Sequence, residues 1–270
     1  MTVSAEKRKT LADSFAALRA HKRIGLVPFI PAGYPDLETL GPGLRALDAA
    51  GAAAIEIGFP FSDPIADGPT VQEAFGVALA RKLKMADVFR AVADVRPSVA
   101  APLVSMVSYS IVYRYGQDRF FADAKAAGFN GLILPDLPPP EAEGVCDRVR
   151  SAGLDTILMV ASTTTPARRK EIVRLSSGFV YYLSVSGITG ERDQLPPNLP
   201  ANVAQLKQLG DRPICVGFGI HKPEQVRQLS AVADGAIIGS AIVRRMRQHA
   251  SEGPQGIAKA VGDYCQSLLA

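Results

Sequence analysis

Eight short runs of β-forming apolar residues, each followed by a longer amphipathic stretch, predict an α/β fold: a (β/α)8 TIM barrel with an extra N-terminal helix. Two further observations support that class. The chain has 270 residues, close to the ~250 that one such barrel needs, so positions 1–270 read as a single barrel domain. It is 47% hydrophobic and 21% charged, which supplies apolar material for a closed core and a surrounding helical layer.

The predicted strands are 24–30, 53–57, 102–107, 131–134, 156–160, 179–184, 213–216 and 235–238. Stretches rich in Ala, Leu and Arg separate them at helical spacing. Before the first strand, 4–20 reads as a helix able to plug the bottom of the barrel. After the last, a helix over 240–249 is followed by a break at Gly253 and Pro254 and a terminal helix. No Pro/Ser-rich linker divides the chain, and no repeat stands out beyond the strand-helix rhythm.

Composition excludes several classes. The net charge of +4 comes from 30 basic and 26 acidic residues spread along the chain, whereas nucleic-acid binding needs a concentrated basic patch. The tightest basic run, Arg244, Arg245 and Arg247, reads as a solvated helix face. Cys146, Cys215 and Cys265 are far apart and lack C-x-x-C spacing, so neither a metal site nor a disulfide frame is expected. The first ten residues, MTVSAEKRKT, are polar, and no apolar run reaches the ~18 residues that span a bilayer. A cytoplasmic protein with no membrane partner is the expectation.

Chemistry in such a barrel belongs to the loops that follow the strands. The most informative stretch runs from Ile55 to Pro69, IEIGFPFSDPIADGP. Side chains alternate along a strand, so if Ile55 and Ile57 face the helices, Glu56 points into the lumen. A buried carboxyl without a partner acquires a raised pKa, which suits a group that both gives and takes protons; an internal salt bridge is the alternative. The loop beyond brings Asp63 and Asp67 to the same face. From pattern alone, Asp67 before Gly68 equally suits an ordinary turn.

Three glycine-bearing turns follow late strands: 186–190, 217–220 and 238–240. Glycine permits close backbone approach to an anion, and a helix starting at Ser240 directs its positive end to the same place, which is the frequent phosphate site of these barrels. Gly217-Phe218-Gly219 lacks the third glycine of a dinucleotide fingerprint, no G-x-x-x-x-G-K-[ST] loop or nucleophile elbow occurs, and no predicted strand offers a lumen lysine for Schiff-base chemistry.

These motifs closely resemble those of the tryptophan synthase alpha family from Leu26 to about Ala241. The segment EIGFPFSDPIADGP is highly specific, and VPFIPAGYPD, LILPDLPPPE, YYLSVSGITG, GFGI and IIGSAIV support it at other strand ends. The resemblance implies a lyase that cleaves indole-3-glycerol phosphate to indole and glyceraldehyde 3-phosphate. It makes Glu56 the general acid/base, Asp67 the second carboxylate and Tyr181 the tyrosine supporting the first. It assigns Phe218, Met106, Leu26 and Thr189 to substrate contacts, and Gly190, Gly219, Gly239 and Ser240 to the phosphate. Tyr181 and Phe218 equally suit the core as plain aromatics.

The implied reaction needs no cofactor and no metal, because the indole ring accepts electrons once protonated at C3. The resemblance also implies a beta subunit as partner, in an alpha-beta-beta-alpha heterotetramer. One segment departs from the family: where Met-x-Tyr-x-Asn is usual, this chain has Met106-Val107-Ser108-Tyr109-Ser110, so substrate contacts or the partner link are expected to differ there. The alternatives are another phosphosugar barrel enzyme, which would lack the SDPIADGP loop, and a catalytically silent barrel kept as an allosteric partner, which would lack the carboxylates.

Overall fold

The computed structural model describes residues 8–64, 67–184, 194–217 and 219–270. Eight parallel strands close in sequence order: β1 Gly25–Pro31, β2 Ile55–Gly58, β3 Leu103–Met106, β4 Gly131–Ile133, β5 Asp155–Ala161, β6 Val180–Leu183, β7 Ile214–Gly217 and β8 Gly235–Ile238, with β8 pairing back onto β1. Each lies where the sequence predicts one, within a residue or two at its ends.

The described helices are α1 Leu11–Ala20, α2 Leu40–Ala49, α3 Pro69–Ala80, α4 Met85–Val95, α5 Tyr109–Tyr115, α6 Gln117–Ala127, α7 Ala142–Ser151, α8 Pro166–Leu175, α9 Leu199–Lys207, α10 Pro223–Ser230, α11 Ser240–Gln248 and α12 Gly253–Leu269. The β2 and β3 crossovers each carry two helices rather than one. The break foreseen at Gly253 and Pro254 is the start of α12 itself: Gly253 adopts φ +67° and Pro254 occupies the first turn, where a missing N–H costs nothing. None of the described helices is long and apolar enough to cross a membrane.

The core has two layers because strand side chains alternate. An inner cluster fills the lumen with Val27, Val104, Ile133, Ile157, Phe179 and Cys215. The outer cluster places Ile30, Ile55, Ile57, Leu103 and Val160 against the helices. Leu11 and Phe15 of α1 join the inner cluster, with Phe15 ring to ring on Phe179 at 5.8 Å, so α1 closes the bottom as the sequence suggested. That helix starts at Leu11 rather than near residue 4, because Thr10 and Asp13 form a reciprocal capping box that fixes its first turn; residues 1–7 lie outside the described residues.

Polar clasps hold the lower rim. The Arg96 guanidinium donates to the carbonyls of Gly128 (2.9 Å), Val99 (2.7 Å) and Ala101 (3.1 Å), satisfying chain groups just before β3 and β4. Asp234, ahead of β8, accepts from Arg19 Nε of α1 and from the Ile214 N–H, both at 2.9 Å. The bottom is thus tied by stability contacts, and the opposite rim is left for chemistry.

Candidate active site

Glu56 stands in the middle of β2, in register with Phe29 of β1 and Val104 of β3. Its flanking isoleucines belong to the outer layer and its own side chain is 1% exposed, so it points inward as alternation requires. Among the described residues no cation pairs with it, and its Oε2 has no hydrogen-bond partner; the salt-bridge alternative falls. Burial pushes its pKa up to about 8, with the nearby Asp67 charge adding to the effect.

Asp67 is half-buried at the N-terminal approach to α3, and burial raises its pKa to about 6. Its backbone does form a turn, with its N–H bonded to the Pro64 carbonyl at 3.0 Å. The turn is clamped from α3: Gln72 Nε2 donates to the carbonyls of Asp67 (2.7 Å) and Pro64 (3.2 Å). The turn and functional readings are therefore compatible, the turn being what carries the carboxylate to the mouth.

Tyr181 of β6 is 7% exposed in the lumen. Burial first, then the charges of Glu56, Asp67 and Cys215, hold its phenol well above the ordinary range, so it is a neutral O–H. Its ring packs against Gly217 of β7, where a Cβ would come 2.6 Å from the ring and 2.7 Å from the hydroxyl oxygen. Gly58 makes the same kind of room at the end of β2, where a Cβ would sit 2.4 Å from the Phe29 ring.

The substrate contact assigned to Leu26 is corrected. Leu26 pairs with Ala236 and packs in the outer layer, whereas Val27 faces the lumen; two residues on, alternation turns Phe29 inward. Phe29 lies over Gly58, edge-on to Phe75 at 6.3 Å, and its Cβ is 4.0 Å from the Cβ position of Gly239. It therefore sits between the carboxylate strand and the turn after β8, a place the period-two rule could have given it. Met106, at the end of β3 opposite Ile133, does face the pocket.

Gly219 adopts φ +84° in the turn after β7, with its carbonyl accepting from His221 Nδ1 at 2.9 Å. Gly239 is the N-cap of α11 and Ser240 its first residue, so the two turns and one helix N-terminus share the same rim. Phe218, Thr189 and Gly190 lie outside the described residues.

The departing segment after β3 has its own hydrogen-bond set. Ser108 Oγ donates to Asp136 at 2.6 Å, and since that uses its one proton, Ser110 Oγ donates to Ser108 Oγ at 2.7 Å. The Tyr109 N–H also reaches Asp136 at 2.6 Å, and the Tyr109 hydroxyl donates to Glu141. A cavity of about 450 Å³ opens beside this set and is lined by Asp67, Phe61, Met106, Ser108 and Pro135 among others. Gln72 carries no sequence signal, and Asp136, although it falls within LILPDLPPPE, reveals its role only through contacts 27 and 28 residues away in the chain.

The carboxyl shifts set a stability prediction. Folded pKa values of about 8 for Glu56 and about 6 for Asp67, against ordinary values of 4.5 and 3.8, mean that the folded protein holds protons that the unfolded chain has released. The stability these two groups contribute is then fully present below the unfolded values and is lost as pH rises towards about 8, by up to ~1.4 kcal/mol per pH unit for a single group. Urea unfolding across that window should show the decline, and Glu56→Gln should flatten it. An identical slope in the variant would mean that Glu56 titrates normally.

The match to known proteins covers the whole barrel. The family model described as tryptophan synthase alpha chain matches residues 15–268. The tryptophan synthase alpha chains of Rippkaea orientalis and Rhodopirellula baltica are each 42% identical, over 260 and 268 residues, with 96% of both chains covered in each case. Among solved structures, Mycobacterium tuberculosis tryptophan synthase superposes with a TM-score of 0.85 at 35% identity, covering 97% of this chain and 99% of that one. A mutant Pyrococcus furiosus tryptophan synthase alpha-subunit gives 0.82 at 34%, covering 91% and 97%. A lumen carboxyl, a second one on the loop that follows it, and a match that spans nearly the whole chain lead to one conclusion: the chain belongs to the tryptophan synthase alpha chain family, the lyases that cleave indole-3-glycerol phosphate to indole and glyceraldehyde 3-phosphate.

Proposed function

We propose that Glu56 is the general acid and base of this cleavage and that Asp67 is the carboxylate that steadies the ring. The observation that carries the reading is the separation of their pKa values, about 8 and about 6. At neutral pH the first is mainly protonated and the second mainly ionised, which is the division of labour the reaction needs.

Glu56 delivers its proton to C3 of the indole. The ring becomes cationic, and Asp67, accepting the indole N–H, balances that charge. The now ionised Glu56 takes the proton from the adjacent glycerol hydroxyl; the C3–C3′ bond breaks, its electron pair returns to the ring, and the aldehyde forms. Glu56 ends protonated as it began. Tyr181, a neutral hydroxyl packed against Gly217, supports Glu56 from the neighbouring wall, while Phe218, Met106 and Phe29 hold the ring. Glu56→Gln should cut turnover by about 10²–10⁴-fold in an indole-release assay, and Asp67→Asn should be similarly severe. Retention of a tenth of the activity by Glu56→Gln would remove the assignment.

The phosphate is placed on the turns of Gly219 and Gly239 and on the first turn of α11 at Ser240, with Gly190 and Thr189 contributing from the β6 loop. Backbone N–H groups and the helix dipole attract the dianion, and the grip supplies positioning rather than chemistry. Ser240→Asp should therefore raise KM strongly through charge repulsion while sparing the fold. An unchanged KM would place the phosphate elsewhere.

We further propose a beta subunit as partner, in an alpha-beta-beta-alpha heterotetramer, in the cytoplasm. Asp63, Pro135 and Asp136 stand on the rim of the mouth, Asp63 and Pro135 exposed on two different loops, and Tyr113 of α5 is 67% exposed. A docked partner there would receive indole, which is small and apolar and escapes readily, and would favour closure over Asp67. Titrating a beta subunit from the same source into the cleavage assay should raise turnover; a flat titration would mean that the barrel works alone.

A further inference from the structure

The cavity beside Asp67 is larger than the ring it serves. Its volume of about 450 Å³ lies in the range that takes drug-sized ligands, about 300–1,000 Å³, whereas indole has nine heavy atoms. Phe61, Met106, Val107 and Pro135 make its walls apolar, and Ser108 and Ser110 line it as well. These two serines are short, and their hydroxyls are engaged: Ser108 Oγ bonds Asp136 at 2.6 Å, and Ser110 Oγ bonds Ser108 Oγ at 2.7 Å. The pair is thus held back against the loop after β4 instead of filling the space.

We infer that Ser108 and Ser110 are specificity-determining residues, and that this enzyme accepts indole rings carrying an added methyl or halogen on the six-membered ring. The inference rests on the reading that Asp67 accepts the indole N–H. With the N–H fixed there, the six-membered ring extends into the cavity that Asp67 shares with the serine pair. The cavity walls are mainly apolar, and Asp136 at their edge is already bonded to Ser108 and to the Tyr109 N–H, so a methyl or bromine gains burial against Phe61, Met106, Val107 and Pro135.

In a pocket that fits its ligand closely, one extra methyl-sized group is discriminated by about 10–200-fold. Here the loss should be smaller. The test runs the reaction in the condensing direction, with glyceraldehyde 3-phosphate and either indole, 6-methylindole or 6-bromoindole, and compares kcat/KM. The substituted rings should fall within about tenfold of indole, the lower edge of that discrimination; a larger penalty overturns the inference while leaving the cleavage assignment standing. If indole itself is not condensed, the underlying reading fails and takes the inference with it.

Side-chain volume supplies the second arm. Ser108→Tyr together with Ser110→Asn should lower the ratio of 6-bromoindole to indole at least about tenfold, the size of one lost methyl-scale fit. Ser110 is exposed, so Ser110→Phe alone should give a folded protein and shift the ratio in the same direction. A ratio that neither variant moves means that the serines do not set the pocket's reach.

Discussion

A carboxyl placed in the lumen without a cation is the constraint around which the upper half of this barrel is built. Glu56 sits among apolar side chains, and desolvation there disfavours the anion. In a structural role the residue would be a liability, since an unpaired polar atom in the interior forfeits its bonds to water. The neighbouring strands accommodate it by retreat. β2 and β7 both end in glycine, and at each glycine an aromatic ring occupies the space that a Cβ would need. Those rings, Phe29 and Tyr181, belong to the strands on either side of the glycines, with Phe29 in register with Glu56 and Tyr181 within reach of its charge.

The opposite rim shows how a barrel behaves when its polar groups are structural. Arg96 spends its donors on carbonyls of the chain entering β3 and β4, and Asp234 receives a guanidinium and a backbone N–H. In both cases the polar groups find partners, so their contribution is to stability. Glu56, by contrast, keeps an Oε2 with no hydrogen-bond partner among the described residues. The same fold thus carries two electrostatic regimes about one strand length apart, and the helix α1 plug keeps solvent from joining them through the lumen.

Most of the fold was legible because its signals are local. Each strand is short, apolar and bounded by turn residues, and the alternation with helical stretches repeats eight times. Glu56 was legible for the same reason, from the alternation Ile55, Glu56, Ile57 alone. What escaped depends on side-chain geometry that residue type and apolar spacing do not encode. The resemblance points to Leu26, whereas strand parity turns Val27 and Phe29 to the inner face. The helix α1 began later than its composition suggested because the Thr10 and Asp13 cap outweighs propensity. Gln72 holds the Asp67 turn from one helical turn into α3, a contact with no motif to announce it.

The two carboxyls also explain why a fold this regular tolerates an irregular loop at its chemical face. The roles proposed for them require different protonation at one pH, and two acids in the same solvent would titrate nearly together. Placing one on a strand and the other on a loop breaks that symmetry: the strand fixes Glu56 in the lumen, where desolvation is nearly complete, while the loop holds Asp67 half-buried, where water still stabilises its charge. Proximity then works in favour of the separation, because an ionised Asp67 makes the second ionisation, that of Glu56, harder. The difference in burial is set by the backbone, so the acid and the base are assigned before substrate arrives. In the proposed mechanism the substrate has only to bring C3 to one and the N–H to the other, which leaves the choice among rings to the cavity walls rather than to the carboxyls.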